Sequence, residues 1–184
     1  MKRSYIFLAT GFEETEALAT ADVLRRAGME VSLLAIHKDR MVTGSHGITV
    51  AADMLMAGAD LSDADWFIFP GGLPGAENLH RDAALNDALL AHVKAGGRVA
   101  AICAAPALVL AQAGLLQGKK ATCYPGFEEY LTKGGATHAE GRAVVDGNVF
   151  TGNGPSSTLP FAFAIVANTL GQHAADEVSA GMLY

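Results

Sequence analysis

The sequence predicts an open α/β sandwich, a mostly parallel central sheet with helices on both faces. Two observations carry that expectation. Short β-rich runs alternate with Ala- and Leu-rich stretches of helical period, the pattern of βα units. The runs are also apolar almost throughout, as strands covered on both faces require, whereas a sheet with one wet face would alternate polar with apolar. Alanine, the commonest residue at 34, favours closely packed helices. A chain of 184 residues fits one domain spanning 1–184. Folding at this size removes roughly 70% of the unfolded chain's accessible area, enough for a core without disulfides or structural metal.

Taken in order, strands are expected at 5–9, 31–36, 66–69 and 98–103. A helix over 14–27 places Leu18, Val23 and Leu24 on one face and ends with Arg25 and Arg26 before Gly28, a good C-terminal stop. A second helix, 82–95, repeats that plan and closes on Gly96-Gly97. Stretches 41–50, around Gly44 and Gly47, and 143–150, around Asp146-Gly147, read as hairpins. Two further helices follow at 158–170 and 174–182.

Composition removes several function classes. Nineteen acidic residues against thirteen basic ones give a net charge of -6, the wrong sign for nucleic acid or anionic lipid. No apolar run approaches the ~20 residues that span a bilayer, and the start, Met1-Lys2-Arg3-Ser4-Tyr5-Ile6-Phe7, meets acidic residues too early for a secretory leader. A cytosolic location is expected. Cys103 and Cys123 lack CxxC spacing; one bridge between them is conceivable, but in a reducing compartment they should be free thiols. His37, His80, His92, His138 and His173 show no ligand spacing and read as surface or loop residues, and no metal is expected.

Three strand ends carry the chemistry. In Ala100-Ala101-Ile102-Cys103-Ala104-Ala105-Pro106 a buried strand runs into a helix with no residues to spare, so Cys103 sits on a sharp elbow at the positive end of that helix. The competing reading is an ordinary buried cysteine at a strand end. Phe69-Pro70-Gly71-Gly72-Leu73-Pro74-Gly75 is a glycine turn whose amides can face a reacting centre, or merely a tight connection. It has neither G-x-G-x-x-G nor G-K-[ST], so phosphate or flavin cradling has no motif. In Thr10-Gly11-Phe12-Glu13-Glu14-Thr15-Glu16, Glu13 and Glu14 suit the first turn of a helix through its dipole, while Glu16 can turn into the crevice that holds Cys103.

These segments, with Ala21-Asp22-Val23-Leu24-Arg25-Arg26-Ala27-Gly28 and the Gly154-Pro155 turn ahead of Thr158, resemble the DJ-1/PfpI (ThiJ) superfamily, and within it the DJ-1/ThiJ branch, over nearly the whole chain. The resemblance implies a flavodoxin-like (Rossmann-like) sandwich, a homodimer, and a nucleophile cysteine at Cys103. It further implies a protonated Glu16 beside that sulfur and oxyanion amides at Gly72 and Ala104. This chain also departs from the family pattern. Ala104 stands where PfpI-type peptidases carry His, which argues against a hydrolase or amidase of that type. Tyr124 replaces a His, Asn153 an arginine, and His46 an arginine on the early hairpin. These three are the pocket residues to examine.

The resemblance further implies cofactor-independent chemistry on a small α-oxoaldehyde substrate, of glyoxalase or deglycase type, converting methylglyoxal to lactate. The alternative is an oxidative-stress sensor or chaperone-like protein whose Cys103 is oxidised to sulfinic acid. Nothing in the residues shows a thiamine-precursor site. Lowering a thiol from ~8.5 to ~5.5 raises its ionised fraction about thirtyfold at pH 7, yet cuts intrinsic nucleophilicity roughly twentyfold. Large acceleration must therefore come from orientation, the amides and Glu16.

Overall fold

The computed structural model describes residues 3–184, so the leader reading at Met1 and Lys2 lies outside the described residues. In chain order the elements are β1 (Ser4–Leu8), α1 (Glu14–Arg26), β2 (Val31–Ala35), β3 (Met41–Thr43), β4 (Thr49–Ala51), β5 (Met54–Leu55) and β6 (Trp66–Phe69). Then come α2 (Gly75–Arg81), α3 (Ala83–Lys94), β7 (Arg98–Ile102) and the elbow helix Pro106–Ala111, which is wound as a π-helix. The remainder is β8 (Lys120–Ala121), α4 (Glu128–Lys133), β9 (Thr137–His138), β10 (Ala143–Asp146), β11 (Val149–Gly152), α5 (Thr158–Leu170) and α6 (Gln172–Gly181).

The main sheet runs β10-β11-β7-β6-β1-β2-β5, parallel except for β10 at one edge. Its inner order, β2-β1-β6-β7-β11, is the flavodoxin-like winding, in which the sheet grows first one way and then the other from β1. The fold class is the one expected. All of β1 and β6 is buried, as their unbroken apolarity requires. On one face α1 packs on α5 and α5 on α6; on the other lie α2, α3 and the elbow helix. Trp66, fully buried, donates its indole N–H to Thr169 Oγ1 at 2.9 Å, which ties β6 to α5. Among the described residues no helix is long and apolar enough to cross a membrane.

Three readings change. Residues 75–81, for which no element was expected, form a helix directly after the glycine turn. Asp82 caps the next helix by accepting from the Leu85 amide at 2.8 Å, and so leaves α2 too short to show a period of its own. The 143–150 hairpin exists, but its second arm enters the main sheet beside β7, with Val149 opposite Val99. His92 is a core residue, not a surface one: its ring stacks on Phe67 at 4.0 Å and its Nε2 hydrogen-bonds with Arg98 O at 2.9 Å.

Candidate active site

The ends of β1, β6 and β7 meet at the carboxyl edge of the sheet, where open α/β folds place their ligands. Glu13 caps α1 by accepting from the Glu16 amide at 2.6 Å, which turns Glu16 inward until only 1% of it is exposed. Its Oε2 accepts from the Gly71 amide at 2.7 Å, while its Oε1 is buried without a hydrogen-bond partner. Such an orphaned oxygen is expensive to keep. Cys103 follows β7 with φ 64°, the left-handed region that a side chain other than glycine's rarely occupies. Two backbone bonds hold the strain: the Cys103 amide donates to Gly152 O at 2.9 Å, and Cys103 O accepts from the Tyr124 amide at 2.8 Å.

Gly71 separates the acid from the thiol. A Cβ there would stand 2.6 Å from Cys103 Cβ and 3.0 Å from both Cys103 Sγ and Glu16 Oε2, so any side chain would push the pair apart. Gly72, at φ 84°, directs its amide at the sulfur, and the Ala104 amide joins it from the elbow. All four residues expected at the reacting centre, Cys103, Glu16, Gly72 and Ala104, are therefore assembled there.

The proton inventory differs from the expectation of an acidic thiol. Burial, and then the charge of Glu16, push the Cys103 thiol up to about 12, against the pull of the Gly72 and Ala104 amides. Burial also raises Glu16, to about 7, although the Gly71 amide and Cys103 favour its charged form. The two titrate as a unit. The first proton leaves the pair near neutrality, from Glu16, and the second, from the thiol, only far above it, so the first negative charge sits on the carboxylate.

A cavity of about 360 Å³ opens over the sulfur. Its walls include Cys103, Ala104, Gly72 and Tyr124, with Leu73, Phe127 and Pro155 adding apolar surface and Glu13, Ser45 and His46 a polar side. Tyr124 and His46 are thus pocket residues, as anticipated. Asn153 is outside the lining, its Oδ1 accepting from Ser157 Oγ. A larger cavity, about 570 Å³, lies at the opposite edge of the sheet around Asp65, His92 and Arg98.

Glu14 has a role that dipole reasoning missed. Its Oε1 accepts from the amides of His46 at 2.7 Å and Ile48 at 3.3 Å, and its Oε2 lies 2.8 Å from His46 Nδ1. Although burial opposes its charge, the hydrogen bonds from His46 and the backbone hold Glu14 down at about 2. It pins the β3-β4 hairpin to α1 and so places His46 over the cavity. Glu13, Glu14 and His46 have ligand atoms within 4.8 Å of one another, but Glu14 is already occupied by the hairpin, the arrangement of a tether. Leu73, Phe127 and Pro155 were also not anticipated. Leu73 and Phe127 belong to loops and Pro155 opens a single 3-10 turn, where no period marks which side chains face inward.

Comparison with known proteins identifies the family and the fold. The model of the DJ-1/PfpI family matches residues 2–168. Protein DJ-1 homolog A of Arabidopsis thaliana is 40% identical over 99% of this chain, and the chain spans 46% of that longer protein. The glutathione-independent glyoxalase DJR-1.2 of Caenorhabditis elegans is 32% identical over 84% of this chain and 81% of that protein. The solved structure of oxidised Toxoplasma gondii DJ-1 superposes with TM-score 0.95 at 37% identity, covering 100% of this chain and 99% of that one.

Proposed function

The chain belongs to the DJ-1/PfpI family, and on that premise we propose that it converts small α-oxoaldehydes to hydroxy acids through Cys103 and Glu16. One observation carries the reading. A buried acid, poised near 7 and with one oxygen unpaired, is separated from an elbow thiol only by the width of a glycine. Supporting it, a relative at 32% identity is named a glutathione-independent glyoxalase.

The chemistry runs on one thiol and one shared proton. Glu16 takes the thiol proton as sulfur bonds to the aldehyde carbon; the carbonyl π electrons become an oxyanion facing the amides of Gly72 and Ala104, and Glu16 returns the proton to it. The ionised Glu16 then removes the hydrogen from that carbon to give an enediolate and delivers it to the neighbouring carbon. The C1 hydroxyl proton passes through solvent to the C2 oxygen as the C1–O bond becomes a carbonyl, and the product is the thioester of the 2-hydroxy acid. Water attacks the thioester, the S–C bond breaks, and the sulfur regains its proton. Methylglyoxal plus water yields lactate with no net oxidation, and no group beyond these residues enters a step. Because the thiol is not acidic, the rate must come from proximity and from Glu16 acting as base.

A second reading rests on the same orphaned oxygen. A protonated Glu16 can donate to an oxygen on sulfur, which would favour the sulfinic form of Cys103, and a Toxoplasma relative has been solved oxidised. Two equivalents of peroxide would each oxidise the sulfur and be reduced to water. Cytosolic location and homodimeric assembly complete the proposal; free Cys103 and Cys123 fit a reducing compartment.

The test is incubation of the purified protein with methylglyoxal, following aldehyde loss and lactate together. Lactate formation that falls by at least ~10³ in Cys103→Ser is expected. Aldehyde loss without acid product would mean thiol trapping and end the enzyme reading. For the second reading, mild peroxide should add two oxygens to Cys103; oxidation confined to Cys123 contradicts it.

A further inference from the structure

The charges around the cavity bear on which aldehydes it admits. Glu14 stays ionised and its charge faces His46, so an imidazolium there is already neutralised by its tether. Glu13 is different. One of its oxygens caps Glu16, and the other has His46 Nδ1 no nearer than 4.0 Å. Among the described residues no Lys or Arg lines the cavity; Arg142, beside the Pro155 wall, gives its guanidinium to Ser156 O and Ser157 Oγ. The Glu16–Cys103 pair adds a further negative charge once its first proton has gone.

We infer that the cavity selects uncharged electrophiles and rejects anionic ones, with Glu13 as the specificity-determining residue. The substrate class is then neutral oxoaldehydes such as methylglyoxal and glyoxal, and carboxylated ones such as glyoxylate are excluded. This substrate class rests on the aldehyde reading above, but the charge rule applies to any electrophile that reaches Cys103. A carboxylate entering within roughly 5–8 Å of Glu13, at a dielectric between protein and water, is disfavoured roughly tenfold.

The experiment compares alkylation of Cys103 by neutral iodoacetamide and anionic iodoacetate at low salt, mapped by peptide mass so that Cys123 is scored separately. In both reactions sulfur displaces iodide and the thiol proton goes to Glu16 or buffer, so only the reagent's charge differs. The amide-to-acid rate ratio at Cys103 should exceed that of N-acetylcysteine amide by roughly tenfold. It should narrow in about 0.5 M salt and fall severalfold in Glu13→Gln. Leu73→Lys, at a half-exposed wall position, adds a cation without removing the cap or the His46 approach of Glu13 and should bring the ratio to the free-thiol value or below, which keeps the test decisive if Glu13→Gln does not fold. A wild-type ratio equal to that of the free thiol, or one that neither variant moves, overturns the inference. Parallel kcat/KM values for methylglyoxal and glyoxylate should differ in the same sense; turnover of neither sinks the aldehyde reading while the alkylation ratio still decides the charge rule.

Discussion

The two edges of the central sheet both hold buried polar groups beside a cavity, and they treat them in opposite ways. At the amino edge Arg98 pairs with Asp65, hydrogen-bonds Asn168 Oδ1 at 2.7 Å and lies 4.7 Å over the Trp66 ring, while His92 is stacked and bonded. At the carboxyl edge Glu16 keeps an unpaired oxygen and Cys103 keeps a strained backbone. The amino-edge cavity is the larger, so volume does not find the chemistry. Paired groups there join β6, β7 and α5 and serve stability. The unpaired Glu16 oxygen and the strained Cys103 backbone opposite are kept at a cost in stability, for which the proposed chemistry gives a reason.

The largest expected effect that sharpens this contrast is a split in Glu16→Gln. Its lactate production should fall by about 10² or more, because the amide cannot carry a proton between carbons. Its stability should rise. Below 4.5 both folded and unfolded states hold the Glu16 proton; between 4.5 and about 7 the unfolded chain loses it first; above 7 the native state bears the whole penalty, about 3 kcal/mol. Thermal melts of wild type and variant should therefore coincide near pH 4.5 and diverge by roughly 6–10 °C above pH 7, the variant higher. A wild type that gains on the variant as pH rises would place the acid outside the core.

The converse variant is Arg98→Ala. It should lower unfolding free energy in urea by about 1–3 kcal/mol through the lost pairs and ring contact, yet leave kcat/KM within about twofold. A comparable loss of activity would mean the two edges are coupled. The smallest effect is expected of Cys123→Ser. The Cys123 thiol is raised to about 12, like that of Cys103, by burial and then by Glu128, and it too is buried. It has no buried acid across a glycine from it. Aldehyde turnover should stay within about twofold of wild type, which would show that the neighbours of a buried thiol, rather than its acidity, make it reactive.

How much of this could be read beforehand varies by element. The strands 66–69 and 98–103 were legible because burial on both faces leaves a continuous apolar run, and α1 because Leu18, Val23 and Leu24 keep helical spacing up to Gly28. The elbow at Cys103 and the glycine turn at Gly72 were legible because each follows a recognisable strand, and the roles of Glu16, Gly72 and Ala104 through the resemblance to a family. His92 was not, since a ring stacked on Phe67 is set by a partner twenty-five positions away, and nothing in its own neighbourhood shows it.

Local pattern alone therefore determined the alternating elements, a mostly parallel sheet and the strand ends where chemistry could sit, because period and turn chemistry act within a few positions, while the winding and the roles of Glu16, Gly72 and Ala104 were implied by the resemblance to a family. Only the tertiary structure decided that β11 lies beside β7, that Glu14 ties a distant hairpin over the cavity, and that the thiol is the weaker acid of its pair. Each of these depends on desolvation and hydrogen bonds between residues remote along the chain, and those energies exist only once the core has closed.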